Sequence, residues 1–296
     1  MMPSATTTRR TVRTRMLEVE HRDQRPMDLD GVAYPFRSDA LAGRRALVCG
    51  ASGGIGAATA KAMAAAGADV TVAARGADAL NDLVEVLSGL GPGQHAVHAV
   101  DLEDADAIDG MVTALLDNGP IHILVNNAGG PPGGPLLGAP PEDFLRPFQR
   151  HLHASHRLVR GLAPGMEAEG YGRILQIIST SVKEPIPNLG VSNTLRGAMA
   201  SWAKSLSREL APCITINNVL PGFTDTPRLG SLAASIHAKT GRSLEDVQRG
   251  WLDQVPIDRL IHPMETAIAL TYLALPAAGA IRGVSLAVDG GRLRSI

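Results

Sequence analysis

The chain has 296 residues, a length that one large α/β domain accommodates. Hydrophobic residues make up 45% and charged residues 19%, and the formal net charge of -1 offers no bulk positive field for nucleic acid or an anionic membrane. No run of about 18 apolar residues occurs, so no segment reads as a membrane span, and two cysteines, Cys49 and Cys213, are too few for a disulfide framework and suit a reducing cytoplasm.

Residues 1–43 mix Arg9, Arg10, Arg13, Arg15, Arg22 and Arg25 with Thr, Ser and Pro and show little apolar periodicity. Arg9-Arg10 lacks the apolar stretch that an export signal needs directly afterwards. The segment reads as a disordered or loosely docked arm. From Arg44 the pattern is regular. Residues 46–49 form a short apolar strand, 57–66 an alanine-rich helix, 69–74 a second strand and 77–87 a second helix. A third strand spans 95–100, a helix about 104–116 and a fourth strand 121–125. After a Gly/Pro-rich loop at 129–141, proline and acids at 141–143 suit the first turn of a long helix running to about 166. Strands at 173–178, 214–220 and 283–288 and a helix at 193–210 complete the series.

Strands alternating with helices of ten or more residues imply βαβ crossovers and a parallel sheet. The strands are near-continuous apolar runs, so both sheet faces are covered. The expected fold is a Rossmann-type, doubly wound α/β sheet of about seven strands with helices on both faces, occupying 44–296 as a single domain. Residues 224–256 break the rhythm after a strand's carboxyl end, the edge where ligands bind in such sheets, and read as a substrate lid. Leu229, Leu232 and Ile236 there suit either a partly apolar substrate or packing of the lid onto the domain.

Gly50-Ala51-Ser52-Gly53-Gly54-Ile55-Gly56 lies between the first strand and first helix. Glycines at that place allow a tight turn and bring backbone N–H groups and a helix N-terminus to a pyrophosphate. The spacing Gly50-x-x-x-Gly54-x-Gly56 resembles the fingerprint of the short-chain dehydrogenase/reductase family, in its 3-oxoacyl-reductase-like form. Four further segments carry the same resemblance in order: Asp101-Leu102, Asn126-Asn127-Ala128-Gly129, Asn217-Asn218-Val219-Leu220-Pro221-Gly222 with Thr226, and Val288-Asp289-Gly290-Gly291. Together they cover about residues 44–291. Cys49 departs from the threonine usual before the first glycine and reads as a small core residue.

The resemblance implies a cofactor site made of Gly50, Ser52, Gly53, Gly54, Ile55, Gly56, Asp101, Leu102, Asn127, Ala128, Gly129, Pro221, Gly222 and Thr226. At the end of the second strand the family's acid position is Ala74, followed by Arg75. An acid there would hydrogen-bond a ribose 2′-hydroxyl, whereas a guanidinium pairs with a 2′-phosphate, so NADP(H) is expected over NAD(H). The glycine loop has Gly53 where many NADP-preferring relatives carry another basic residue.

The family's serine, tyrosine and lysine positions fall on Ser179, Ser192 and Arg196, and its asparagine position on His151. A Ser-x-x-x-Arg pair thus stands in place of Tyr-x-x-x-Lys. Arg196 can bind ribose hydroxyls and stabilise an oxyanion without losing its own proton. A serine hydroxyl is a far weaker acid than a phenol, which leaves His151, or a water it positions, as the expected proton donor. His151, His153 and His156 do not form a metal site, since i and i+2 point apart on a helix. The resemblance implies NADP(H)-dependent reduction of a ketone or aldehyde on a small to medium, partly apolar molecule. The lost tyrosine and lysine leave open a nucleotide-binding protein without redox turnover, or a lyase, isomerase or cyclase. It also implies a homodimer or homotetramer joined through helices at about 142–168 and 193–210, with Ala198, Ala200, Ala203 and Ser207 allowing close approach.

Overall fold

The computed structural model describes residues 27–295. The described residues begin with a hairpin of β1 (Met27–Leu29) and β2 (Val32–Tyr34), paired antiparallel around Asp30-Gly31. Both turn residues have positive φ, 53° and 81°, the conformation a tight two-residue hairpin demands and that Asp-Gly supplies. Residues 27–43 are therefore not loosely docked. Leu29, Tyr34 and Leu41 are buried in the main core, and the Tyr34 hydroxyl donates to the Ala62 carbonyl. Residues 1–26 of the expected arm lie outside the described residues.

The domain that follows alternates strand and helix: β3 (Arg45–Cys49), α1 (Gly54–Ala65), β4 (Asp69–Ala74), α2 (Ala77–Ser88), β5 (His95–Ala99), α3 (Ala105–Leu116) and β6 (Ile123–Asn126). A short 3-10 turn then leads into α4 (Leu145–Phe148), a π-helical turn at Gln149–His153 and α5 (Ala154–Ala168). The chain continues through β7 (Gly172–Ile177), α6 (Gly190–Glu209), β8 (Ile214–Pro221), α7 (Pro227–Thr240), α8 (Leu244–Leu252), α9 (Pro263–Ala274) and β9 (Ser285–Val288).

Seven strands form one parallel sheet in the order β5-β4-β3-β6-β7-β8-β9. One face is covered by α1, α2 and α9 with the N-terminal hairpin, the other by α3, α5 and α6. The expected doubly wound fold is observed. Two elements escape the sequence pattern, the hairpin and α9. The latter is nearly all apolar, packs against α1, and starts with a capping box in which the His262 ring and the Glu265 carboxylate exchange bonds with backbone N–H groups.

The expected long helix is interrupted. Its central turn widens to a π-helix, a form that is rare and concentrates at functional sites. Two of the expected interface residues face inward: Ala203 is fully buried in the domain's own core, and Ser207 is buried against the backbone near Gly283. They cannot lie on a helix–helix interface between copies. Ala198 and Ala200 are half-buried.

Candidate active site

The sheet order reverses between β3 and β6, so the loops leaving these two strands diverge at the carboxyl edge and open a crevice there. The two loops are locked together. Asn127 Nδ2 donates to the Gly50 carbonyl at 3.1 Å. A Cβ on Gly50 would stand 2.7 Å from the Asn127 carbonyl oxygen, and Gly50 has φ +60°, so only glycine serves. A Cβ on Gly56 would collide with the Gly50 carbonyl oxygen, which fixes how closely α1 can start beneath the loop.

α1 has no side-chain cap at its N-terminus. Its first N–H groups thus face the crevice with the positive end of the helix dipole and no internal partner, an arrangement suited to an anion such as a pyrophosphate. Gly53 has open space where a Cβ would stand, Ser52 is exposed, and the Thr226 methyl comes within 3.1 Å of a Gly54 Cβ position. Thr226 also caps α7, its hydroxyl accepting from the Leu229 N–H. Glycine loop, β6 loop and β8 loop therefore share one cleft. Arg75 sits at its far end just after β4, exposed and without an acidic partner among the described residues. Asp101, also exposed, uses its carboxylate to hold the turn after β5 by accepting from the Glu103 N–H. The residues present thus fit a dinucleotide with an added phosphate.

The π-helical turn supplies the second wall. Arg150 and His151 both donate to the Gly129 carbonyl, at 3.4 and 3.1 Å, while Glu103 pairs with Arg150 and Arg146. This clamp pins the loop after β6 to the helix. Because a carbonyl only accepts, the proton of the neutral His151 ring belongs on Nε2. His151 is buried, and burial with the neighbouring Arg196 and Arg150 charges drives its pKa well below the usual histidine range. The lowered pKa and the hydrogen bond to Gly129 both count against the expected role of His151 as the proton donor.

Arg196 reaches back from α6 to the end of β7, donating from Nη1 to the Ile177 carbonyl at 3.1 Å. Burial, then the charge of Arg228, pushes its pKa down to about 10, which still leaves it cationic at neutral pH. Among the described residues its Nε has no partner, nor do Asn126 Nδ2 and both amide atoms of Gln176; all three residues line one small cavity with His151. Ser179, at the mouth of β7, accepts from the Ser181 N–H at 3.1 Å, which leaves the hydroxyl proton free to be donated elsewhere. Ser192 is half-buried in the first turn of α6, one turn before Arg196, and its hydroxyl makes no hydrogen bond within the described residues. His151 and Arg196 line one cavity, while Ser179 follows β7 and Ser192 lies in the first turn of α6, outside that lining.

Sequence reasoning missed Arg228, whose Nη2 donates to the Pro131 carbonyl at 2.8 Å from the opposite wall of the cleft. It also missed the Glu103–Arg150 pair and Arg292, which lies over the Phe223 ring and donates to Thr180 Oγ1. Nothing in the spacing marked Arg228 except its place two residues after Thr226. His153 and His156 are exposed, bonded to Gln149 and Trp202. Among the described residues no group of His, Cys, Asp and Glu is placed to hold a metal ion, and no helix is long and apolar enough to cross a membrane. Cys49 is fully buried, and burial pushes its thiol up to about 12, so it packs rather than reacts.

A family model described as "Enoyl-(Acyl carrier protein) reductase" matches residues 50–292. The chain is 33% identical over 256 residues to a 3-oxoacyl-[acyl-carrier-protein] reductase of Vibrio cholerae, covering 85% of this chain and 98% of that one. It is 31% identical over 266 residues to the 7alpha-hydroxysteroid dehydrogenase of Escherichia coli, covering 88% and 99%. Among solved structures, L-sorbose reductase from Gluconobacter frateurii complexed with NADPH and L-sorbose superposes with a TM-score of 0.82 at 29% identity, covering 88% of this chain and 100% of that one. Actinorhodin polyketide ketoreductase with NADPH gives 0.80 at 30% identity, covering 85% and 98%.

Proposed function

The chain belongs to the short-chain dehydrogenase/reductase family of oxidoreductases, and on that footing we propose that it is an NADP(H)-dependent reductase of a ketone or aldehyde carbonyl. The observation that carries the reading is the Gly50–Asn127 lock at the sheet's switch point, with an uncapped helix N-terminus on one side and Ser179 and Arg196 on the other. Gly50, Ser52, Gly53, Gly54, Ile55 and Gly56 would cradle the pyrophosphate. Arg75 would pair with the 2′-phosphate, Asp101 and Leu102 would flank the adenine, and Asn127, Ala128, Gly129, Pro221, Gly222 and Thr226 would line the nicotinamide end. When bound, the cofactor supplies the hydride.

The chain's own residues do the rest. Ser179 donates its free hydroxyl proton as a hydrogen bond to the carbonyl oxygen, and Ser192 adds a second. Arg196 holds the ribose hydroxyls and sets a positive field where the alkoxide develops, worth more in a buried site than in water. Neutral His151 works at one remove, holding Gly129 and the cleft wall in place. The proton comes from water, for which Asn126, Gln176 and Arg196 offer otherwise unpartnered polar atoms. α7 and α8 form the lid, and the assembly is a dimer or tetramer.

The decisive experiment mixes purified protein with NADPH and a panel of ketones, quinones and β-ketoacyl thioesters while following the reduced-nicotinamide absorbance. Oxidation with one class and not the others supports the reading. The neutrality of His151 favours one competitor, a nucleotide-binding protein without turnover, which tight NADPH binding with no oxidation by any carbonyl would establish.

A further inference from the structure

Two guanidiniums, Arg196 and Arg228, come near one another beside Gly130, and neither pairs with a carboxylate among the described residues. Arg196 is more than nine-tenths buried, yet among the described residues it forms no ion pair and its Nε has no partner at all. Arg228 likewise pairs with no acid among the described residues and spends one bond on the Pro131 carbonyl. The point where a Gly130 Cβ would stand lies 3.6 Å from Arg196 Nη2 and 3.9 Å from Arg228 Nη2, with no other described atom beyond Gly130 and its chain neighbours within 4 Å. Glycine there leaves an open point within reach of both cations.

Arg196 is a buried charge, which is normally paired, and the exposed Arg228 adds a like charge beside it that raises the cost further. A bound anion removes both penalties. Ribose hydroxyls carry no charge and cannot do so, and the uncapped start of α1 already offers a pyrophosphate its own donors. Two guanidinium nitrogens within 4 Å of one open point can each take one oxygen of a planar anion. Ser192 stands one helical turn before Arg196 on the same face of α6 and is a short side chain, so it does not screen the guanidinium from the substrate side.

We propose that Arg196 and Arg228 form a carboxylate-binding site beside the reacting carbonyl, so that the substrate is an oxo acid rather than a neutral ketone or a thioester. The inference rests on the reductase reading for the word substrate, but the anion site itself does not need turnover. Arg228 acts by binding the carboxylate, and Gly130 by leaving room for it.

The test is calorimetric titration of the protein saturated with NADP+, using 3-phenylpropanoate and its uncharged isostere 3-phenylpropanamide. The acid is expected to bind about tenfold tighter or more than the amide, the advantage of a charge-assisted bidentate pair. Arg228→Ala should abolish that preference and Arg228→Lys retain part of it. Gly130→Ala, whose methyl meets only ordinary contacts, should reduce acid binding while leaving both charges in place. Equal affinities for acid and amide overturn the proposal. So does an Arg228→Ala protein whose NADPH affinity falls as much as its acid affinity, because the pair would then serve the cofactor. If the acid binds as expected but no oxo acid or oxo ester is reduced, the reductase reading fails and the anion site stands. If oxo esters are reduced and the acid shows no preference, the reverse holds.

Discussion

Lowering the pH should weaken the fold through one residue, His151. The imidazole is buried, hydrogen-bonded through Nε2 and flanked by Arg196 and Arg150, so it resists protonation in the folded protein. In the unfolded chain it gains a proton around its ordinary pKa of about 6.5. The unfolded state therefore binds more protons below that value, and stability present above it is lost as pH falls, at up to about 1.4 kcal/mol per pH unit, until the folded pKa is reached. One pH unit below the ordinary value the loss is on the order of 1 kcal/mol, enough to lower Tm by a few degrees in a domain of this size. His95 and His122 are shifted down by burial too, so the comparison must isolate the one side chain. His151→Asn does so, since asparagine can still donate to Gly129 and does not titrate. Thermal unfolding of the two proteins should diverge as pH falls from neutrality, the wild type losing more. Parallel pH dependence, or an NMR titration of His151 near its ordinary pKa, would refute both the buried-neutral assignment and the reason for denying it the proton-donor role.

Three other outcomes follow from the same geometry. Arg75→Asp should reverse the cofactor preference by setting a carboxylate against the 2′-phosphate, and equal wild-type affinities for NADPH and NADH in calorimetry would contradict the Arg75 reading. Removing residues 1–26 should leave nucleotide binding intact, whereas Tyr34→Ala should cost about 3–5 kcal/mol in denaturant unfolding, as large aromatic truncations in cores do, because Tyr34 is buried and bonded to Ala62; an unchanged midpoint would show the hairpin to be dispensable. Light scattering at micromolar concentration should give a dimer or tetramer, and a monomeric mass would exclude both.

The sheet was legible because most of its inner strands are short apolar runs between a turn and a helix, and burial on both faces leaves little else that such a run can be; the partly exposed edge strands β5 and β9 carry a weaker signal. The glycine loop was legible for a similar reason: a Cβ on Gly50 or Gly56 would collide with backbone carbonyls and with the Asn127 amide, so the sequence has no freedom there. The hairpin and α9 were harder. Asp30-Gly31 announces the turn, but three-residue strands carry almost no periodicity. α9 is buried on most of its surface, so it lacks the polar stripe that marks a surface helix, and only the His262–Glu265 cap signals its start. The state of His151 could not be read at all. A histidine's pKa depends on the charges that tertiary folding brings near it, and Arg196 is 45 positions away in the chain. Arg228 escaped for the same reason, since its partner Pro131 lies 97 residues distant.

Replacing Tyr-x-x-x-Lys with Ser192-x-x-x-Arg196 changes what the site can hold as well as how it moves protons. A phenol at position 192 would fill the space in front of the guanidinium, and a lysine at 196 would trade a planar fork for a point charge that is easily placed beside ribose. If Arg196 and Arg228 bind a carboxylate, the two changes belong together: the short serine opens the path and the arginine grips what arrives. The double variant Ser192→Tyr with Arg196→Lys should therefore reduce neutral ketones faster than the wild type and lose its preference for oxo acids over their methyl esters. Each single change should do less than its share, because the tyrosine needs a nearby ammonium to lower its pKa and the lysine alone leaves the carbonyl without a strong acid. The readout is kcat/KM for an oxo acid and its methyl ester in all four proteins. A double variant that keeps the wild-type ratio between acid and ester would separate the two substitutions from substrate choice and leave Arg196 with the ribose alone.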